Sequence, residues 1–265
     1  MAGQRAPSGA RKFSAFEQLA ICASIVLASF LVIDPLVFGA ARNLDGETYR
    51  FFRSFTHLGR SNWILIPAGA GILLLAALKS RAAGWRRGVE YGYASQILIF
   101  VFASIAVSGL TASLIKNVIG RARPKMFSTH GPLEFQPMTF DADFASFPSG
   151  HATTAGALAA VLAILYPPGR ILFFLAGAWI ASTRLFIGAH YVSDVVAGFG
   201  FGVLVVYFLR DRFARRGWLF RTAGDGPVLK GRALIRRAVS AIRGKIGIAM
   251  PEGLVRAVGA RLPRQ

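Results

Sequence analysis

A chain of 265 residues that is 54% hydrophobic, with a mean hydropathy of +0.50, carries more long apolar runs than a soluble domain has use for. Its formal net charge of +19 would suit a nucleic-acid binder, but the hydropathy argues against that class and assigns the charge to loops held on the cytoplasmic side of a membrane. The single cysteine, Cys22, rules out an intramolecular disulfide and says nothing of compartment.

Residues 1–15, with Arg5, Arg11 and Lys12, read as a short cytoplasmic arm. The first apolar run, 16–37, is long enough to span a bilayer and too long for the core of a signal peptide. Asp34-Pro35 near its far end reads as an acid at a helix end beside a proline, rather than as a functional intramembrane carboxylate. Residues 39–60 form a polar connection in which Phe51, Phe52 and Phe55 are interleaved with charges, as in a segment lying at the membrane interface. A second span is expected over 61–78, with Pro67 tolerated inside it. A basic turn (Lys79, Arg81, Arg86, Arg87) then leads to a long third span over 93–118. That helix should stop near Arg123, because Pro124 disfavours helix in the residue before it. After a loop over 125–147, a fourth span opens on Ser149-Gly150-His151 and ends near Tyr166. A Pro167-Pro168-Gly169 turn, a fifth span over 171–187 and a sixth over 195–209 complete the set.

The expected fold class is therefore all-α: an integral membrane bundle of six transmembrane helices over 16–210, followed by a basic cytoplasmic tail, 211–265. In the tail, Leu234, Ala238 and Ile242 recur at helical spacing among Arg236, Arg237, Arg243 and Lys245. That pattern fits either an amphipathic helix on an anionic inner leaflet or a disordered basic segment. Lysine and arginine concentrate in the arm, the Lys79–Arg87 turn, Arg170 and the tail, which places both termini in the cytoplasm. The ends of spans three and five and the starts of four and six then share the non-cytoplasmic face.

Three polar clusters meet on that face. Ser149-Gly150-His151 puts a favoured N-cap and free backbone N–H groups at a helix start, an anion-binding arrangement that alone is more often only a cap. Lys116, Arg123 and Arg184 add three cations. Lys116 and Arg123 share a helix face if the helix persists between them, and arginine offers a planar fork that matches phosphate. Each could singly be a snorkelling side chain, but three beside two histidines call for an anion. His190 and Asp194, four apart, allow the carboxylate to accept a hydrogen bond from imidazole Nδ1–H and leave Nε2 free as a nucleophile. The same spacing alone is usually structural or a metal pair. Here carboxylates are scarce and cations abundant, which argues against a metal.

Taken together, Lys116-x6-Arg123-Pro124, Pro148-Ser149-Gly150-His151 and Arg184-x5-His190-x3-Asp194 resemble the three-part signature of the type 2 phosphatidic acid phosphatase (PAP2) superfamily. Thr183 stands where the family usually has serine, and keeps the hydroxyl. The resemblance implies a cofactor-free, metal-independent phosphatase acting on a lipid phosphate or pyrophosphate. By position, His190 would be the nucleophile, Asp194 would orient it, and His151 would protonate the leaving oxygen. Lys116, Arg123, Ser149, Gly150 and Arg184 would bind phosphate. Arg121, outside the motif, is expected to be an interfacial or head-group contact.

Family substrates include phosphatidate, phosphatidylglycerol phosphate, polyprenyl pyrophosphate and the lipid A 1-phosphate. The expected partners are the lipid substrate and a bilayer with an anionic inner leaflet, with neither nucleic acid nor an obligate protein partner. The expected location is an inner or plasma membrane, with the site on the periplasmic or extracellular face. A lipid phosphotransferase is an alternative within the family. A phosphate-binding transporter or channel is the alternative from another class, and would have no need for two histidines and an orienting acid.

Overall fold

A computed structural model describes residues 15–36, 45–223 and 226–231. The arm before Ala15 and the 234–245 pattern lie outside the described residues. Helix α1 (Ala15–Ala28) continues into a π-helical stretch, Ser29–Ile33. Helix α2 (Gly46–Thr56) is capped by Asp45, whose carboxylate accepts from Thr48 N–H at 2.7 Å. There follow α3 (Asn62–Ser80), α4 (Trp85–Ile119), α5 (Gly150–Leu165), α6 (Arg170–Phe186) and α7 (Val192–Arg215). A two-stranded antiparallel hairpin, β1 (Phe220–Ala223) and β2 (Gly226–Leu229), closes the described chain, with Phe220 opposite Leu229.

The described residues are mostly helical, and among them four stretches are long and apolar enough to cross a membrane: Gly46–Ser80, Trp85–Ile119, Pro167–Phe186 and Val192–Arg215. Ala20–Leu36 and Gly150–Leu165 are apolar but shorter. Three expected boundaries are corrected. Helix α4 begins at Trp85, so Arg86 and Arg87 of the expected basic turn lie in its first turn. It ends at Ile119 rather than near Arg123, because Gly120 turns the chain first. Helix α7 runs on to Arg215, and a hairpin follows where only a tail was expected.

Helix α5 is the centre of the bundle, packed on α4, α6 and α7, with most of its residues buried. Its sequence explains why. Ala152, Ala155, Gly156, Ala157, Ala159 and Ala160 are small, so neighbouring backbones approach closely on several sides. A Cβ on Gly156 would lie 2.2 Å from Phe199 O, and one on Gly202 would lie 2.2 Å from Thr153 O. A helix enclosed by protein on all sides is apolar all round, which is what this sequence shows.

One end of the bundle is closed by larger side chains. Phe100 packs edge-on against Phe213 and Phe220, and Leu219 N–H donates to Gln96 Oε1 at 2.8 Å. Gln96 and Lys116 are both on α4, so about 30 Å separates this closed end from the Lys116 end. That is about the thickness of a bilayer core.

The α5–α7 contact tolerates no side chain at Gly156. Gly156→Val should lower the thermal midpoint of the detergent-solubilised protein, at a cost of about 1–3 kcal/mol or more. An unchanged midpoint would show that the two helices are not pressed together there.

Candidate functional site

Lys116 sits on the last turn of α4, which Gly120 ends in a left-handed conformation (φ 64°). Only glycine fits here, since a Cβ would lie 1.9 Å from Gln136 O. The helix therefore does not persist to Arg123, and the expected shared face of Lys116 and Arg123 does not exist. The chain instead turns back on its own loop. Ala122 N–H donates to Glu134 O (3.0 Å), Arg123 N–H to Asp143 O (2.8 Å) and Ser146 N–H to Arg121 O (3.1 Å). This fold-back still brings Arg123 near Lys116, and Arg184, on the last turn of α6, near both, close enough for their charges to act on one another.

Arg184 Nη1 donates to Thr56 Oγ1 at 2.9 Å. The Nε atoms of Arg123 and Arg184 are buried without a hydrogen-bond partner among the described residues. Two unpaired guanidinium donors beside a lysine form a cradle for an oxyanion. Ser149 caps α5 with its hydroxyl 3.5 Å from Ala152 N, a weak bond, while its own N–H donates to Asp194 O at 3.0 Å. Gly150 opens the helix beside Lys116, and a Cβ there would lie 3.6 Å from Lys116 Nζ. His151 follows, near enough to Arg184, His190, Arg60 and Lys116 to feel their charges.

His190 lies just before α7 and is 5% exposed, and Asp194, in the first turn, is wholly buried. The expected hydrogen bond between them is replaced. His190 Nδ1 lies 2.9 Å from Ser146 O and 3.6 Å from Asp194 Oδ2. A carbonyl can only accept, so Nδ1 carries the proton and Nε2 has the lone pair. Asp194 acts on the imidazole through its charge and through Ser146, whose Oγ donates to Asp194 Oδ2 at 2.6 Å. Tyr191 N–H donates to the same oxygen at 2.9 Å. Burial pushes His190 down to about 4, against the opposing pull of Asp194, so the ring is neutral at ordinary pH.

Two residues read as bland in the sequence belong here. Arg121 is not an interfacial contact. It is fully buried, with its guanidinium between the rings of Phe30 (4.6 Å) and Tyr191 (4.2 Å). It donates to Asp194 Oδ1 at 2.6 Å and to Asp34 Oδ2 at 2.9 Å. Asp34, accordingly, is not an acid idling at a helix end but a second buried counter-ion. A buried charge without a partner is costly, so each of these three implies the others. The rule that an acid at membrane depth is functional by default would have found Asp34. Ser146 enters through its carbonyl, which leaves no signature in a sequence.

Against known proteins, the chain is 36% identical over 220 residues to a protein of Rhizobium johnstonii named lipid A 1-phosphatase, a match covering 80% of this chain and 86% of that one. The chain belongs to the PAP2 superfamily. The model of that family matches residues 97–218. A lipid A 1-phosphatase of Rhizobium etli is also 36% identical, covering 80% and 91% of the two chains. Phosphatidylglycerophosphatase B of Bacillus subtilis is 25% identical, covering 58% and 70%. Among solved structures, a transmembrane PAP2-type phosphatidylglycerolphosphate phosphatase from Bacillus subtilis aligns with a TM-score of 0.48 and 22% identity, covering 77% of this chain and 95% of that one. This PAP2 protein is a phosphatase, and its signature residues are the ones the fold gathers at one end of the bundle.

The geometry fixes one measurable property of His190. In protein labelled with ¹⁵N-histidine, its imidazole should show the neutral Nδ1–H form throughout the physiological range, taking up a proton only as pH falls toward about 4. Titration near the ordinary value of roughly 6.5 would mean that the ring is not buried as described.

Proposed function

We propose that this PAP2 phosphatase hydrolyses a lipid phosphate or pyrophosphate through a phosphohistidine on His190, at the outer face of an inner membrane. The observation that carries the reading is the neutral, oriented His190 beside Lys116, Arg123 and Arg184, two of which hold unpaired buried donors. In this reading the three cations and the α5 N-terminus bind the phosphate oxygens, and Nε2 of His190 attacks phosphorus. The P–O bond to the lipid breaks, and the leaving oxygen takes a proton from His151, whose charged form the bound phosphate dianion supports against the neighbouring cations. The phosphorylated ring carries a positive charge that Asp194 offsets. Water then attacks phosphorus as the P–Nε2 bond breaks, His151 takes a proton from that water, and inorganic phosphate leaves. Phosphoryl transfer asks the protein mainly for positioning and charge stabilisation, and both are supplied here.

A lipid rather than a soluble substrate is favoured by a groove of about 590 Å³ that runs from His151 between α3, α4 and α5. Arg60, Ser61 and Asn62 line its polar part, and Leu65, Ile105 and Leu110 its apolar part. Among the candidates, the lipid A 1-phosphate is favoured by the two relatives at 36% identity, with phosphatidylglycerol phosphate next. We also propose that all six apolar helices cross the membrane, with both termini cytoplasmic. The distribution of Lys and Arg supports this, as does the placement of Lys116, His151, Arg184 and His190 at one end of the bundle.

Phosphate release from a lipid phosphate by the purified protein in EDTA tests the function. His190→Ala should reduce it to background on every substrate, since no neighbour replaces a covalent nucleophile. His151→Ala should lose about 10²–10⁴-fold in kcat/KM on a lipid monophosphate, whose alkoxide needs a proton to leave. It should lose much less on p-nitrophenyl phosphate, whose leaving group is stable without one. Equal losses on both would make His151 a phosphate ligand rather than the acid.

Sidedness has its own test. With Cys22 replaced, a cysteine placed in the 125–147 loop should react with an impermeant thiol reagent on intact cells, and one placed after Arg215 should not. The opposite pattern would put the chemistry in the cytoplasm.

A further inference from the structure

We infer that Asp34, on the first helix and outside the family-matched region, is a positioning residue for the proposed nucleophile, acting through Arg121 and Ser193 on Asp194. The inference rests on the reading in which His190 attacks phosphorus. The geometry is closed on every side. Asp34 Oδ2 accepts from Arg121 Nη2 at 2.9 Å and from Ser193 Oγ at 2.5 Å, while Oδ1 accepts from Ser193 N–H at 3.0 Å. Arg121 Nη1 in turn donates to Ser193 Oγ at 2.7 Å and to Asp194 Oδ1 at 2.6 Å. One carboxylate thus holds the guanidinium that grips Asp194 and also the residue directly before Asp194 on α7.

Anchoring α1 to the bundle would need only one of these bonds. What the full set does is fix the first turn of α7 and set its charge. Asp34, Arg121 and Asp194 are all at or near zero exposure, so no water screens them. Two carboxylates against one guanidinium leave one net negative charge facing His190. That matches the one positive charge the ring gains when Nε2 takes the phosphoryl group. Without Asp34, Arg121 would cancel Asp194, and the phosphorylated ring would face Arg123 and Arg184 with nothing to offset it.

The placement of Asp34 is itself built in. The π-helical stretch Ser29–Ile33 ends on Asp34, whose backbone N–H reaches back to Ser29 O, and such stretches are frequent at functional sites. Phe30, one turn earlier on the same stretch, covers the guanidinium face.

The test is a double-mutant cycle between Asp34→Asn and Asp194→Asn, with kcat and KM measured on a lipid phosphate that the wild type turns over. Asp34→Asn should lower kcat about 10- to 100-fold, the range found where a buried partner orients a reacting group. KM and the inhibition constant of vanadate should stay within about twofold, because the cation cradle is untouched. In the Asp194→Asn background the same change should cost clearly less, since the hold on the Asp194 carboxylate no longer matters and only the uncovered charge of Arg121 is left to act. Should Asp34→Asn not fold in detergent, Ser193→Ala removes only the bridging hydroxyl and should show the same fall in kcat at constant KM. An unchanged kcat in the folded variant overturns the inference. So does an equal loss in both backgrounds, which is what a purely structural residue would give. Failure of the nucleophile reading would show separately, as turnover surviving in His190→Ala.

Discussion

A guanidinium with no access to water sets the terms for this fold. Arg121 can be buried only if its charge and its donors are all met. Meeting them draws together α1 through Asp34, α7 through Ser193 and Asp194, and the 125–149 loop through Pro132 O. Removing one member of a buried ionic set typically costs about 3–5 kcal/mol, because it strands the others. The set therefore ties three separate parts of the chain to one arrangement. The rings of Phe30 and Tyr191, both against the Arg121 guanidinium, add cation–π contact and help to keep water from it.

The site is ordered by charge from inside outward. Carboxylates and Arg121 lie innermost, His190 sits next to them, and Lys116, Arg123 and Arg184 lie beyond. An imidazole between negative and positive layers would normally be pulled both ways. Burial settles the balance toward the neutral ring. The Ser146 carbonyl then decides which nitrogen holds the proton. Neutrality and tautomer, the two properties that the proposed role of His190 as nucleophile requires, thus come from separate structural causes.

What the sequence made legible was the local part. The polar clusters at helix ends, the apolar runs and the family signature can each be read within short windows. The Asp34–Arg121 pair could not be read that way, because its partners are 87 residues apart and each alone resembles an ordinary helix-end charge. Pro124 points to a helix stop near Arg123, but the left-handed Gly120 turns the chain before the proline can act. The hairpin has a local signal of the same kind. Gly224-Asp225-Gly226-Pro227 is a turn sequence, but it is embedded in a stretch whose basic composition reads as a tail. The Ser146 carbonyl belongs to a different class, since every residue has one and only the fold selects which is used.

On the proposed assignment, chemistry and substrate choice draw on different parts of the chain. Lys116, Arg123, His151, Arg184, His190 and Asp194 all fall within the family-matched residues 97–218. The polar rim of the groove beside His151 does not: Arg60 and Ser61 come from the connection between α2 and α3, and Asn62 is the first residue of α3. Arg60 is close enough for its charge to reach both His151 and Arg184. A group bonded to the leaving oxygen would meet this rim on one side of the groove and matched residues such as Ile105 and Leu110 on another. A change at Ser61 or Asn62 would reshape the groove while leaving the phosphate cradle and the histidines in place, whereas a change at Arg60 would reach His151 and Arg184 as well. On one fold, the preference for a lipid can thus be adjusted beside a retained chemistry.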